Sequence, residues 1–121
     1  MVSLLRDIGA VLGAALVVER DRRRVGPAPL LRRLRERGRQ GPVRSARERS
    51  RLLKLIRIVD ACFPGGGNCY RRALLATAVD PVIAETPLTL GLRSGGGARS
   101  GHAWLGPYET PTVRYDAELS V

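Results

Sequence analysis

The sequence of 121 residues predicts one compact α+β domain, with N-terminal helices followed by a small antiparallel sheet. Apolar residues recur at helical spacing over the first two thirds of the chain, and short apolar runs typical of strands follow Asp80-Pro81. Glycine and proline clusters separate these segments. Hydrophobic residues form 44% of the composition, enough for a modest core.

Four helices are expected. They are Met1–Glu19, a short basic helix that begins at Leu30 and ends near Gly38 or Gly41, Ser45–Cys62, and 69–79. The first helix has an apolar face for packing, formed by Leu4, Leu5, Ile8, Val11, Leu12, Ala15 and Leu16. Asn68 is a favourable N-cap, so Cys69 falls at the first position of the last helix, and Asp80-Pro81 ends that helix.

Three strands are expected at Leu88–Leu92, His102–Leu105 and Thr112–Tyr115. The segment Ser94–Ser100, with three consecutive glycines, is interpreted as a flexible connector. A hairpin between the second and third strands would place the end of the third strand beside the His102 strand.

The net charge of +10 is concentrated in one part of the chain. Residues 20–57 carry 15 basic and 3 acidic side chains, whereas the remainder is slightly acidic. We divide the domain into a basic helical region, 1–44, and a core, 45–121. Solvated helix faces explain most of the arginines, although a surface that docks an acidic partner is also possible. Nucleic acid is not expected as a partner, because the region lacks aromatic residues that could stack on bases.

The apolar stretch from Ile8 to Val18 is too short to span a bilayer, so no stable membrane insertion is expected. The sequence shows no good secretion signal, which favours the cytoplasm and free thiols at Cys62 and Cys69. Cys62 lies on the apolar face of its predicted helix and is interpreted as a buried small hydrophobe.

Cys69 is the candidate nucleophile. A helix N-terminus favours a thiolate, and the free N–H groups of its first turn can stabilise an oxyanion. Asn68 and Tyr70 are the adjacent candidates for contact with substrate. The alternative for Cys69 is a buried structural cysteine.

His102, the single histidine of the chain, is the candidate general base. Trp104, two residues further along the predicted strand, would lie on the same face and form a wall of the site. A carboxylate should orient the imidazole. Asp116 is the first candidate, Glu109 is the second and Glu118 is the weakest.

Metal and phosphate sites are less favoured. The Cys62–Cys69 spacing is not that of a usual zinc site and a fourth ligand is missing, so no metal or other cofactor is expected. The run Gly65-Gly66-Gly67 lacks the Lys-Ser/Thr pair of a phosphate-binding loop and follows a helix.

Three segments, Cys69-Tyr70-Arg71-Arg72-Ala73-Leu74, Leu88-Thr89-Leu90-Gly91-Leu92-Arg93 and His102-Ala103-Trp104-Leu105, together resemble the lasso-peptide leader peptidases. These are transglutaminase-like cysteine proteases, and the resemblance extends from about Ser50 to Leu105. After the tryptophan this chain departs from the family, with Leu105-Gly106-Pro107-Tyr108 in place of a small hydrophobic residue and Glu.

The resemblance implies a papain/transglutaminase-like fold and a triad of Cys69, His102 and Asp116 that removes the leader from a ribosomally made precursor peptide. It also implies two partners, a small leader-recognition protein and a lasso cyclase. Two alternatives remain open at this point: a non-catalytic basic module that docks an acidic peptide or protein, and a thiol acyltransferase or amidase.

Overall fold

The computed structural model describes residues 2–64, 67–95, 98–105 and 117–120, and their side chains except at 2, 92–95, 98–102, 104 and 117–119. In these ranges five helices precede a three-stranded antiparallel sheet. The helices are α1 (Val2–Asp21), α2 (Pro27–Arg39), α3 (Ala46–Ala61), α4 (Cys69–Val79) and α5 (Pro81–Ala84), and the strands are β1 (Leu88–Gly95), β2 (Ala98–Leu105) and β3 (Ala117–Ser120). The predicted helical N-terminal part is confirmed.

Local sequence signals explain where the helices begin and end. Pro27 occupies the first position of α2, where a missing N–H costs nothing, so this helix begins earlier than predicted. Ser45 and Glu48 form a reciprocal capping box at the start of α3. Asp80 ends α4, and its carboxylate then accepts the amides of Val82 and Ile83 at the start of α5, a short helix that the sequence patterns did not predict.

The buried face of α1 is narrower than predicted. Val11, Ala14 and Val18 are fully buried, whereas Leu5 and Leu16 are 64% and 76% exposed. Leu12 is also exposed. Since α1 packs against α3 and α4 on one side, only one stripe of the helix reaches the core. None of the described helices has the combination of length and apolar character that crossing a membrane requires.

The core lies between α1, α2, α3, α4 and the inner face of the sheet, and it takes residues from both sides of residue 44. Gly38 sets the distance between α2 and α4. A Cβ atom at this position would lie 2.0 Å from the carbonyl oxygen of Thr77, so only glycine permits this approach.

Arg44 departs from the predicted solvated arginines of the basic region. Its side chain is fully buried and donates to Asp7 at 2.8 Å, to Asp80 at 3.1 Å and to the carbonyl of Val79 at 2.7 Å. Arg49 donates to the second oxygen of Asp80 at 3.0 Å. These charges join α1, α3 and the C-terminal end of α4, so part of the basic region is structural.

The sheet has the order β2-β1-β3. Strand β1 pairs with β2 from Leu88↔Leu105 through to Gly95↔Ala98. This ladder includes much of the predicted flexible connector, because backbone pairing does not require side chains. On its other side, β1 pairs with β3, with Gly91 opposite Glu118.

Strand β1 lies between β2 and β3, and β2 is an outer strand of the described sheet. The predicted strand Thr112–Tyr115, and with it any hairpin between this strand and the histidine strand, lies outside the described residues. Register and strand order depend on long-range pairing, which local alternation does not specify.

Candidate active site

Cys69 is the first residue of α4, as predicted. Asn68 precedes it in an extended conformation, and its side chain accepts the Arg71 amide at 3.0 Å. Both Asn68 and Cys69 are half-buried. The first N–H groups of a helix have no acceptor inside the helix. The Asn68 side chain accepts the third of these N–H groups, that of Arg71, so the amides of Cys69 and Tyr70 point out of the helix end beside the thiol.

Asp60, near the end of α3, fixes the turn that leads to Cys69. Its side chain is fully buried, and one carboxylate oxygen accepts the backbone amide of Asn68 at 2.8 Å and Nη1 of Arg72 at 3.2 Å. Gly67 lies against the same group, since a Cβ there would be 3.4 Å from the Asp60 carboxylate. One carboxylate therefore connects α3 to the N-terminus of α4.

Arg71 completes this anchor from the helix side. Its Nε donates to the other oxygen of Asp60, and its Nη2 donates to the Asp60 carbonyl at 3.2 Å. The guanidinium also lies 4.4 Å from the centre of the Phe63 ring and 3.4 Å from a carboxylate oxygen of Glu19. A buried charge needs an opposite charge and hydrogen-bond partners, and here both Asp60 and Arg71 have them.

Strand β2 passes directly beside the thiol. The backbone N–H of Ala103 donates to Sγ of Cys69, with 3.3 Å between nitrogen and sulfur. This amide is available because β1 pairs with only one edge of β2. The residue before Ala103 is His102, so the backbone of the predicted base is adjacent to the predicted nucleophile.

The other predicted site residues are described to different extents. His102 and Trp104 lie on β2 opposite Gly91 and Thr89, and the structure describes their backbones only. Asp116 and Glu109 lie outside the described residues. The backbone of Glu118 lies on β3 opposite Gly91, so β1 separates it from His102.

Tyr70 is half-buried and packs against the hydrophobic core. Burial raises the pKa of its hydroxyl, and the charge of Arg22 opposes this effect only in part. The phenol therefore stays neutral at physiological pH. It can donate a hydrogen bond, but it cannot serve as a base there.

The prediction for Cys62 is wrong. This residue follows the last turn of α3 and its side chain is exposed. Cys62 keeps helical dihedral angles, but at about 100° per residue it lies on a different side of α3 from the buried stripe of Leu52, Ile56 and Asp60. Both cysteines are free thiols. In the part of the chain that the structure describes, no three His, Cys, Asp or Glu side chains are grouped so that they could hold a metal ion.

The roles of Asp60 and the Ala103 amide at this site were not predicted from the sequence. Asp60 carried a usable signal, because it lies four residues after Ile56 and eight after Leu52 and so continues the buried stripe of α3. A carboxylate at such a position requires a cation, and Arg71-Arg72 follows the next helix start. The Ala103 contact had no such signal, since it depends on how the sheet docks on α4.

No family model matches this chain, and comparisons with curated proteins and with solved structures likewise give no match.

Proposed function

We propose that this protein is a cysteine peptidase that removes the leader from a lasso-peptide precursor, with Cys69 as nucleophile and His102 as general base. The observation that carries the proposal is the hydrogen bond from the Ala103 amide to Cys69 Sγ at 3.3 Å. It brings together the two sequence segments that were singled out for chemistry, 34 positions apart, at the start of a capped helix.

The reaction divides into two acyl transfers. His102 takes the thiol proton, and the thiolate attacks the carbonyl carbon of the peptide bond between leader and core. The C–N bond breaks as the imidazolium returns its proton to the leaving amine, and a thioester remains on Cys69. Water then gives a proton to His102 and attacks the thioester, which releases the carboxylate and restores the thiol.

The helix start supplies the electrostatic part of this mechanism. The outward amides of Cys69 and Tyr70 can donate to the oxyanion that forms on the substrate carbonyl. Asp60 and Arg71 do not touch the substrate in this mechanism. They are positioning residues that hold the Cys69 turn against α3.

A papain/transglutaminase-like arrangement is part of the proposal. In such an arrangement a cysteine begins a helix that packs on an antiparallel sheet, and a histidine lies on a neighbouring strand. The contact between helix α4 and β2 supports this part of the proposal. Asp116 is proposed as the group that orients His102, and the leader-recognition protein and the lasso cyclase are proposed as partners. The enzyme requires no metal or organic cofactor for this chemistry.

The two cysteines provide a matched test. The purified chain is incubated with a lasso precursor peptide and its leader-recognition protein, and the products are followed by mass spectrometry. We expect Cys69→Ala and His102→Ala to reduce kcat/KM at least about 10³-fold, since either change removes a member of a catalytic unit. Cys62→Ala removes the exposed thiol and should leave the rate unchanged.

The same experiment separates the alternatives. Undiminished cleavage by Cys69→Ala would refute the assignment of the nucleophile. Product in which the acyl group passes to an added amine instead of water would identify an acyltransferase. Tight binding of the precursor without cleavage, also in the presence of the partner, would identify a basic docking module.

A further inference from the structure

A groove lined by arginines runs along α2. It consists of two neighbouring hollows of about 670 Å³ and 560 Å³, counting their open mouths. Arg35 and Arg39 line both hollows, so the two form one continuous surface, which we call the arginine groove. Its described lining comprises Ala28, Leu31, Arg32, Arg35 and Arg39 on α2, with Ala84, Glu85, Pro87 and Ser120 on the opposite side.

The arginine groove is separate from the candidate active site. Gly38, the neighbour of Arg39, packs against the carbonyl of Thr77 on α4. Thr77 follows Cys69 by eight residues, which is roughly 12 Å along a helix. A ligand in the groove therefore lies near the C-terminal end of α4, whereas the thiol is at the other end.

Three positive charges face the groove from one side of α2. Arg32, Arg35 and Arg39 are three and four residues apart, a spacing that places them on one helix face, about 4.5 Å and 6 Å from each other along the axis. Nη2 of Arg35 donates to the carbonyl of Thr86 at 3.3 Å, which ties its side chain to the opposite wall. Arg32 and Arg39 are exposed. The groove therefore offers a row of cations about 10 Å long to a ligand from solvent.

The groove already holds one carboxylate. Nε of Arg39 donates to Oε1 of Glu85, across the groove from α2. The two side chains are 54% and 62% exposed, so water can replace this interaction and the ion pair contributes little to stability. The carboxylate of a ligand can therefore take the place of Glu85 at Arg39 at little cost to the fold.

The spacing and the lining favour a peptide as the occupant. In an extended peptide, alternate side chains point to the same side and lie about 7 Å apart, close to the rise of about 6 Å between Arg35 and Arg39. Ala28 and Pro87 are exposed apolar residues that can contact the methylene groups of acidic side chains. A nucleic-acid strand requires aromatic side chains on which its bases stack, and none of the described lining residues is aromatic.

We propose that the arginine groove binds an acidic peptide segment of a partner protein, with two carboxylates separated by one residue. One carboxylate replaces Glu85 at Arg39, and the other lies against Arg35 and Arg32. Glu85 acts as an internal competitor that keeps the groove closed to weakly acidic segments. This site does not depend on the chemistry at Cys69, so it goes beyond the proposed peptidase.

The test measures binding of fluorescent peptides by anisotropy at 0.15 M salt. The protein carries Cys69→Ala, so that no probe can be cleaved. The first probe contains Glu-Gly-Glu between glycine and serine residues, and its matched control contains Gln-Gly-Gln. We expect the acidic probe to bind at least about 10-fold more tightly, since hydrogen bonds between guanidinium and carboxylate are charge-assisted. A labelled oligothymidine of equal charge reports nucleic-acid binding.

Three variants locate the binding. Arg39→Gln should weaken binding of the acidic probe about 10-fold, because it removes the cation that receives the ligand carboxylate. Glu85→Gln removes the competitor and should strengthen binding about 3- to 10-fold. Arg47→Gln is the matched control. It removes the same charge at an exposed position of α3 outside the groove and should change the affinity by about twofold or less. Circular dichroism checks that each variant is folded.

The outcomes decide between a specific groove and general attraction to a basic protein. Equal weakening by Arg39→Gln and Arg47→Gln would show general attraction and overturn the groove. Unchanged affinity in Glu85→Gln would overturn the exchange of carboxylates. Tighter binding of oligothymidine than of the acidic probe, lost in Arg39→Gln, would identify nucleic acid as the ligand and overturn the peptide. None of these readouts depends on cleavage, so the groove and the peptidase can fail independently.

Discussion

Substitution of Asp60 by asparagine tests whether a buried ion pair holds the N-terminus of α4. The change is nearly isosteric. It removes the charge and turns one of the two acceptor oxygens into an NH2 donor. In the folded protein Asp60 has no exposed surface, and the side chain of Arg71 is 4% exposed. After the substitution the guanidinium would remain buried without its main counter-charge.

The expected loss of stability follows from what Arg71 retains. Removal of one partner from a buried ion pair costs about 3–5 kcal/mol. Arg71 would keep the main-chain carbonyl of residue 60, the face of Phe63 and a long contact to Glu19, so the lower end applies. About 3 kcal/mol corresponds to a fall in Tm of roughly 10–15 °C for a chain of this size.

Thermal unfolding followed by far-ultraviolet circular dichroism measures this effect. Glu85→Gln is the matched control, since it also converts an acid into an amide in an ion pair. Its partner Arg39 and Glu85 itself are 54% and 62% exposed, so water can replace the lost interaction and Tm should not change measurably. A fall of less than about 3 °C for Asp60→Asn would show that the anchor contributes under about 1 kcal/mol and would refute the reasoning.

Two other predictions concern helix packing and pH. Gly38→Ala should destabilise the fold by about 3 kcal/mol, because its Cβ would lie 2.0 Å from the Thr77 oxygen. Gly9→Ala, where a Cβ would have no atom within 4 Å, should instead raise the free energy of unfolding by about 0.5–1 kcal/mol. Urea unfolding measures both changes, and equal effects would contradict the role of Gly38 in packing. Burial raises the pKa of the Tyr70 hydroxyl. The stability that the neutral hydroxyl contributes is therefore fully present below the ordinary tyrosine pKa of about 10, and it is lost as pH rises through the raised pKa. Tyr70→Phe should therefore flatten the loss of stability between about pH 9 and pH 11, and parallel curves for the two proteins would reject this assignment.

The helix starts were predictable because their signals are local. Asn68 and Ser45 satisfy amides within three residues of themselves, and no distant part of the chain is needed for that bond. The position of Cys69 at the head of α4 follows from the same rule. This is why the central residue of the candidate site could be placed before the structure was known.

The errors concern interactions between distant segments. Whether Leu16 is buried depends on how many neighbours α1 has, and whether Cys62 is buried depends on which side of α3 faces the other helices. The buried carboxylates were missed for a related reason. An aspartate in an amphipathic pattern is assigned to solvent unless its partner is known, and Arg71 and Arg44 come from other elements.

The exposure pattern of α4 itself indicates where function can lie. From Ala73 to Val79 every residue of this helix is buried, and so is Arg71. Only Cys69, Tyr70 and Arg72 are partly accessible. Buried charges hold both ends of the helix: Asp60 accepts the Asn68 amide before the first turn, and Arg44, paired with Asp80, donates to the Val79 carbonyl at the last turn. Apart from a cavity that Ala73 and Ala76 line, a ligand can therefore meet α4 only at its first turn. This turn carries the thiol and the outward amides, which is why we propose the chemistry there.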